Sequence, residues 1–125
     1  MSVRAADSIP RTPVAAGQAT ESQVLIGPDT APNFALRRFI MQPGGGMPLH
    51  TNAVEHEQYV LRGRAEVRIG EELHEVAAGD VVFIAAGQPH SYRALGEEPF
   101  EFLCAVPNQA DTIQVIEEHR DARRE

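Results

Sequence analysis

Two imidazoles and a primary amide fall close together in the stretch LHTNAVEHEQYVLRG, residues 49–63: His50, Asn52 and His56. A further imidazole, His90, follows the turn-forming run AAGQP. Neutral imidazole is a good ligand for Zn, Fe, Ni and Cu and a weaker one for Mn, and it leaves the metal its full positive charge. A cation held this way polarises a carbonyl, stabilises an enolate or acidifies a bound water, provided that coordination positions stay open. Asn52 offers only a neutral amide oxygen, a weaker ligand than imidazole, which would make such a site leaky or unusually open. His74, inside ELHEV, and His119, in the charged tail, are assigned no role, since an isolated histidine is more often a surface or satisfied core residue.

Side chains two apart on a strand share a face, so Asn52 joins His50. His56 returns onto a neighbouring strand after a turn of about three residues, and His90 opens another strand on which Tyr92 shares its face. Three imidazoles and one amide can therefore converge in the mouth of a barrel, a common place for small-ligand sites. If His56 points inward, the adjacent Glu57 points outward, toward an outer shell or a dimer surface, and a one-residue slip would exchange them. Gln58 lies on the His56 face, where it can reach a substrate or a metal-bound water or else be a polar rim residue. Tyr92 and Cys104 are candidate cavity residues, and Glu55 is expected on a loop surface.

The strands needed for this are legible. Short runs rich in Val, Ile, Leu, Phe and Tyr, separated by Gly, Pro, Asn and Asp, place strands near 23–27, 34–41, 57–62, 65–69, 72–76, 81–85, 90–95 and 99–106, the pattern of an antiparallel sandwich or barrel. AEVRI alternates as a half-buried strand does, with Ala65, Val67 and Ile69 on one face and Glu66 and Arg68 on the other. VVFIAA at 81–86 is apolar throughout, which suggests burial on both faces. A helix is expected only in VIEEHRDARRE, where acids lead and arginines follow. Residues 1–21 read as a mobile arm, 22–108 as the barrel and 109–125 as a strand or helix tail. No internal repeat or low-complexity segment is visible, and PGGGMP fails as a phosphate loop because no helix with Lys and Ser or Thr follows it.

Composition excludes other classes. A chain of 125 residues, 42% of them hydrophobic, suits one packed domain. The formal net charge of −7 argues against a nucleic-acid backbone or an anionic membrane as partner. Neither a signal h-region nor a run of membrane-spanning length is present, so a cytoplasmic protein is expected. The single cysteine, Cys104, leaves no intramolecular disulfide and no multi-cysteine zinc pattern, so any metal must be held by histidine and oxygen.

Residues 24–107 as a whole resemble the cupin superfamily. Its first motif runs glycine, five residues, His-x-His, three or four residues, a carboxylate, six residues, glycine. Gly44, His50, Asn52, His56 and Gly63 match those places, with Asn52 standing for the second histidine and His56 for the carboxylate, as in a small single-domain subgroup of the form H-x-H-x-x-x-H-E. The second motif is matched by Gly79, Gly87 and His90, with Ala85 in place of its proline and Ala94 in place of its asparagine.

The resemblance implies an all-β double-stranded β-helix, or jelly-roll barrel, carrying a mobile N-terminal arm and a short C-terminal helix in this chain. It also implies one divalent metal, Fe, Mn, Ni or Zn, held by His50, His56 and His90, with Asn52 as a weak fourth ligand or an outer donor. Pairing of N-terminal strands, here 21–27, implies a homodimer. The superfamily includes dioxygenases, decarboxylases, isomerases, lyases and cyclases beside sugar-binding and storage proteins, so fold alone does not choose the reaction. The leading expectation is an enzyme that oxygenates, isomerises or eliminates from a small hydroxy-keto, enol or carboxylate molecule at the metal. The rival is a non-catalytic ligand-binding cupin with a degenerate site, and a third reading is a dimer with a vestigial barrel mouth.

Overall fold

The computed structural model describes residues 2–117. After a single 3-10 turn at Ala6–Ser8, the chain forms β1 (Thr12–Pro13), β2 (Gln18–Ile26), β3 (Phe34–Asn52), β4 (His56–Arg62) and β5 (Arg64–Ile69). β6 (Glu72–Ala77), β7 (Val81–Ile84), β8 (His90–Leu95), β9 (Phe100–Pro107) and β10 (Ile113–Glu117) follow. The strands are hydrogen-bonded in the order β6-β5-β8-β3-β9-β4-β7, with β2 and β10 also on β3, in a sheet curled into a jelly-roll barrel wall.

β3 makes this curvature possible. Its first half, residues 34–41, pairs with β9, and its second half, from Gly46 to His50, pairs with β8. The change of partner falls on the PGGG corner. Gly44 there has φ +81°, and a Cβ on Gly45 would stand 2.5 Å from the Gln18 carbonyl oxygen, so only glycine lets β2 lie this close.

The inward faces carry the core. Met41, Val60, Ala65, Val67, Ile84, Phe100, Phe102 and Cys104 are all buried in one cluster. AEVRI behaves as its alternation requires, with Ala65 and Val67 fully buried between β6 and β8. Burial of such apolar area, at roughly 25 cal/mol per Å², is what holds the curled sheet closed.

Three expectations need correction. VVFIAA is not buried on both faces: Val82 and Ile84 are buried, whereas Val81 and Phe83 are 75% and 58% exposed, because β7 ends the sheet and, among the described residues, nothing covers its outer face. The segment 1–21, read as a mobile arm of loop composition, contains strand within its described residues, since Gln18–Glu21 begin β2 and Thr12 and Pro13 pair with Ser22 and Glu21. Gln23 fastens this segment by donating to the carbonyls of Ala6 and Ile9. The expected helix over 115–125 is a strand as far as Glu117, where Ile113, Gln114 and Val115 pair with Asn52, Thr51 and His50; its remainder, 118–125, lies outside the described residues. Residues 21–26, part of the segment foreseen for pairing with a second copy, lie along β3 of their own chain, an arrangement that leaves room for packing against that copy.

Gly63 tests the corner geometry between β4 and β5. Its φ is +77°, and a Cβ would fall 2.2 Å from the Pro99 carbonyl oxygen, whereas Gly79, at φ +95°, faces open space. Gly63→Ala is expected to cost about 3 kcal/mol or more in urea unfolding, and Gly79→Ala about 1 to 2 kcal/mol. Equal losses in the two variants would contradict the packing against Pro99.

Candidate functional site

Strand pairing brings the distant residues together. His50 on β3 is directly opposite His90 on β8, and Met47 is opposite Tyr92. On the other wall Gln58 of β4 is opposite Cys104 of β9. His50, Asn52, His56, Gln58, His90, Tyr92 and Cys104 are all at most 6% exposed. His50, Asn52, His56, Gln58 and Tyr92 line a cavity of about 180 Å³. That is below the roughly 300–1,000 Å³ of drug-sized pockets, so a small ligand fits best.

Glu57, expected above to point outward toward an outer shell or a dimer surface, is exposed on the opposite face of β4, where a side-chain hydrogen bond with Glu55 raises the Glu57 carboxyl pKa. Strand alternation is the reason: His56 and Gln58 point in, so Glu57 points out. His74 is exposed on β6, and His119 lies outside the described residues.

Two of the imidazoles are oriented by a backbone carbonyl two residues earlier in the chain. His50 Nδ1 lies 2.7 Å from the Pro48 carbonyl oxygen and His90 Nδ1 lies 2.8 Å from that of Gln88. A carbonyl only accepts, so in both rings Nδ1 carries the proton and Nε2 keeps its lone pair. The His50 and His90 ring centres are 4.2 Å apart, and those of His56 and His90 5.8 Å.

Asn52 is held by a residue from far along the chain. Its Nδ2 donates to Asp111 Oδ2 at 3.0 Å, while the backbone N–H of Ala53 donates to Asp111 Oδ1 at 2.8 Å. Because a carboxylate accepts and never donates, it selects the amide rotamer that turns the nitrogen outward and the oxygen inward. Asn52 Oδ1 lies near His50, opposing part of the fall in that ring's pKa, yet forms no hydrogen bond of good geometry.

Burial depresses all three imidazole pKa values. His56 is brought down to about 4 by burial and then by the Arg37 charge, and His90 to about 4 by burial and then by His50. His50 is lowered by burial as well, against its hydrogen bond to Pro48. At neutral pH the cluster is therefore a set of uncharged lone-pair donors. Burial also raises the Tyr92 and Cys104 pKa values, keeping a phenol and a thiol rather than a phenolate and a thiolate. Cys104 is thus a poor nucleophile here. Gln58 Nε2 donates to Tyr92 Oη at 2.7 Å, which leaves the phenolic proton for another acceptor.

Whether a metal fits can be judged from the donors. Among the described residues no three His, Cys, Asp or Glu side chains form a ready-made coordination sphere. Three atoms of the predicted ligand set, Asn52 Oδ1, His56 Nε2 and His90 Nε2, are nonetheless buried without a hydrogen-bond partner, as is Arg37 Nε in the same cavity wall. Unpaired buried polar atoms are costly and rare, so the concentration of the three ligand-set atoms in one cluster fits a cation.

Two residues of the site went unforeseen. Arg37 lines the same cavity, on the face of β3 shared with Ala35, Phe39 and Met41; the alternation in FALRRFIM hints at this but equally allows Arg38. Asp111 left no signal, as it is 59 residues from Asn52.

Comparison with known proteins agrees with the geometry. The family described as "Cupin domain" matches residues 37–106. The chain is 34% identical over 80 residues to 1-methylthio-D-xylulose 5-phosphate methylsulfurylase from Rhodospirillum rubrum, an alignment covering 64% of this chain and spanning about half, 51%, of that protein. Among solved structures, the polyketide cyclase RemF from Streptomyces resistomycificus superposes with a TM-score of 0.85 at 27% identity, covering 93% of this chain and 85% of that one. A cupin-2 domain from Rhodospirillum rubrum superposes with a TM-score of 0.81 at 27% identity, covering 94% and 81%.

The depressed histidines set a pH dependence. Between pH 6.5 and about 4 the unfolded chain binds protons at His56 and His90 that the folded chain does not, so stability is full above that window and falls as pH drops through it. For chelator-treated protein the urea midpoint is expected to be lower at pH 5 than at pH 7, with a smaller difference in His56→Gln. An unchanged difference in that variant would count against the buried neutral imidazole.

Proposed function

The chain belongs to the cupin domain family, and from that premise we propose that it is a small metal-dependent enzyme acting on a small, oxygen-rich molecule. The observation that carries the reading is the trio of unpartnered buried donors, Asn52 Oδ1, His56 Nε2 and His90 Nε2, beside a cavity that His50 also lines. The residues that would hold the ion are His50, Asn52, His56 and His90. A divalent Fe, Mn, Ni or Zn bound there would supply Lewis acidity undiminished by any anionic ligand, suited to oxygenation, isomerisation or elimination at a hydroxy-keto, enol or carboxylate group.

The protein's own part is positioning and proton control. Pro48 and Gln88 fix the tautomers of His50 and His90, and Asp111 fixes the amide of Asn52. Tyr92, held protonated by burial and already accepting from Gln58, keeps a proton available at Oη for an oxygen on the substrate. The apolar remainder of the wall, including Met41, Met47 and Phe102, limits water. Similarity to a polyketide cyclase and to a methylsulfurylase supports catalysis over simple ligand carriage.

Metal analysis by mass spectrometry on untagged protein purified without chelator tests the proposal. Near-stoichiometric metal in the natural protein, lost in His56→Ala, is the expected outcome, and the ion found selects the reactions to assay. Asp111→Ala should retain the fold but bind the same metal about 10- to 100-fold more weakly, the usual cost of removing a group that orients a ligand. No metal after supplementation would replace this reading with that of a ligand-binding cupin whose metal site has been lost.

A further inference from the structure

The neighbouring arginines of FALRRFIM meet different fates. Arg38 faces outward and is fully engaged: it forms hydrogen-bonded ion pairs with Glu101, lies 3.8 Å from Asp7 and reaches Gln23 at 3.5 Å. Arg37 faces the cavity, and no carboxylate of the described residues lies within ion-pair distance of it. Its Nε is buried without a hydrogen-bond partner. Its Nη2 reaches only Cys104 Sγ, at 3.6 Å, and its guanidinium stands 5.0 Å over the Phe39 ring. A thiol is a weak acceptor and not a counter-ion, particularly one that burial keeps protonated.

Guanidinium stays charged at any pH the fold survives, so burying it in a cavity wall without an anion is costly. The other titratable groups around the cavity do not offset it. His50 and His56 are neutral or cationic, and Asp111 is occupied by Asn52 and Ala53. Arg37 also helps to depress the pKa of His56, which places its positive field on the histidine cluster. Around it the wall is apolar and aromatic, with Phe39, Tyr92 and Phe102.

We infer that Arg37 is a substrate-binding residue: the ligand is a small organic oxyanion whose carboxylate or phosphate pairs with the Arg37 guanidinium while its apolar body lies against Phe39, Tyr92 and Phe102. Arg37 has free N–H groups in a planar fork, the geometry that carboxylates and phosphates accept. The inference rests on the proposed function only in assigning the other end of the molecule to the histidine cluster. It narrows the substrate class from oxygen-rich molecules in general to anionic ones.

The test uses shape-matched probes: benzoate and phenyl phosphate as anions and benzamide as a neutral isostere, titrated by calorimetry into chelator-treated protein whose fold is verified by circular dichroism. Chelation removes any metal, so an anion preference reads Arg37 alone. At least one anion is expected to bind about 10- to 100-fold more tightly than benzamide, the ratio for a hydrogen bond to a charged group. Which anion wins separates a carboxylate ligand from a phosphate one. The preference should vanish in Arg37→Met and survive in part in Arg37→Lys. Because Arg37→Met could misfold, the Arg37 Nε–H resonance of the natural protein is followed by NMR as well; it should shift with the anion and not with benzamide. Equal affinity for benzamide, no binding of either anion, an unshifted Nε–H, or a preference kept in a folded Arg37→Met would each overturn the inference. A protein that takes up no metal yet prefers anions through Arg37 would overturn the metal reading and leave this one standing.

Discussion

Backbone pairing along β3 is the constraint on which the rest depends. The strand runs unbroken from Phe34 to Asn52 and hydrogen-bonds to β2, β8, β9 and β10. Its glycine corner lets the first half close one wall of the barrel and the second half the other. His50 and Asn52 stand on the second half and Arg37 on the first, so a single strand carries half of the donor cluster together with the cation of the same cavity, and β4 and β8 bring His56 and His90. Backbone hydrogen bonds on both edges keep this frame stiff where the donor atoms need fixed positions.

On that frame the electrostatics follow from burial. Desolvation keeps the imidazoles neutral, the tyrosine protonated and the cysteine a thiol. Hydrogen bonds then settle orientation, with local carbonyls choosing the histidine tautomers and Asp111 choosing the amide rotamer. The outcome is a cavity whose polar atoms are lone-pair donors next to one permanent positive charge. The donors suit a cation and the guanidinium an anion, and a metal with an anionic substrate satisfies both. Within the described residues no helix is long and apolar enough to cross a membrane.

Much of the barrel was readable from local pattern. Strands at 65–69, 72–76, 81–85 and 90–95 lie within a residue of the observed bounds, since period-two alternation and turn glycines act over a few residues. Readings failed where partners decide. VVFIAA suggested a strand buried on both faces, yet β7 is an end strand with Val81 and Phe83 on its bare side. QATES, with loop composition, becomes strand because β3 offers it an edge. Val115 and Glu117 pair with β3 at the start of the segment where charge order suggested a helix, tertiary pairing outweighing a weak propensity.

The sequence by itself determined the donor types and their sides of the strands. His50 shares a face with Asn52, His56 with Gln58 and His90 with Tyr92, and Glu57 lies opposite His56 by the same alternation, because strand geometry makes these relations local; which of those two faces the cavity was left to the register. Tertiary structure decided what lies across the cavity. It set His50 against His90 and Gln58 against Cys104, turned Arg37 inward while Arg38 found Glu101, and brought Asp111 to the amide of Asn52. Those relations span tens of residues, and alternation leaves each face's partner open; only the closing of the barrel, with its demand that buried polar groups be paired, selects one arrangement.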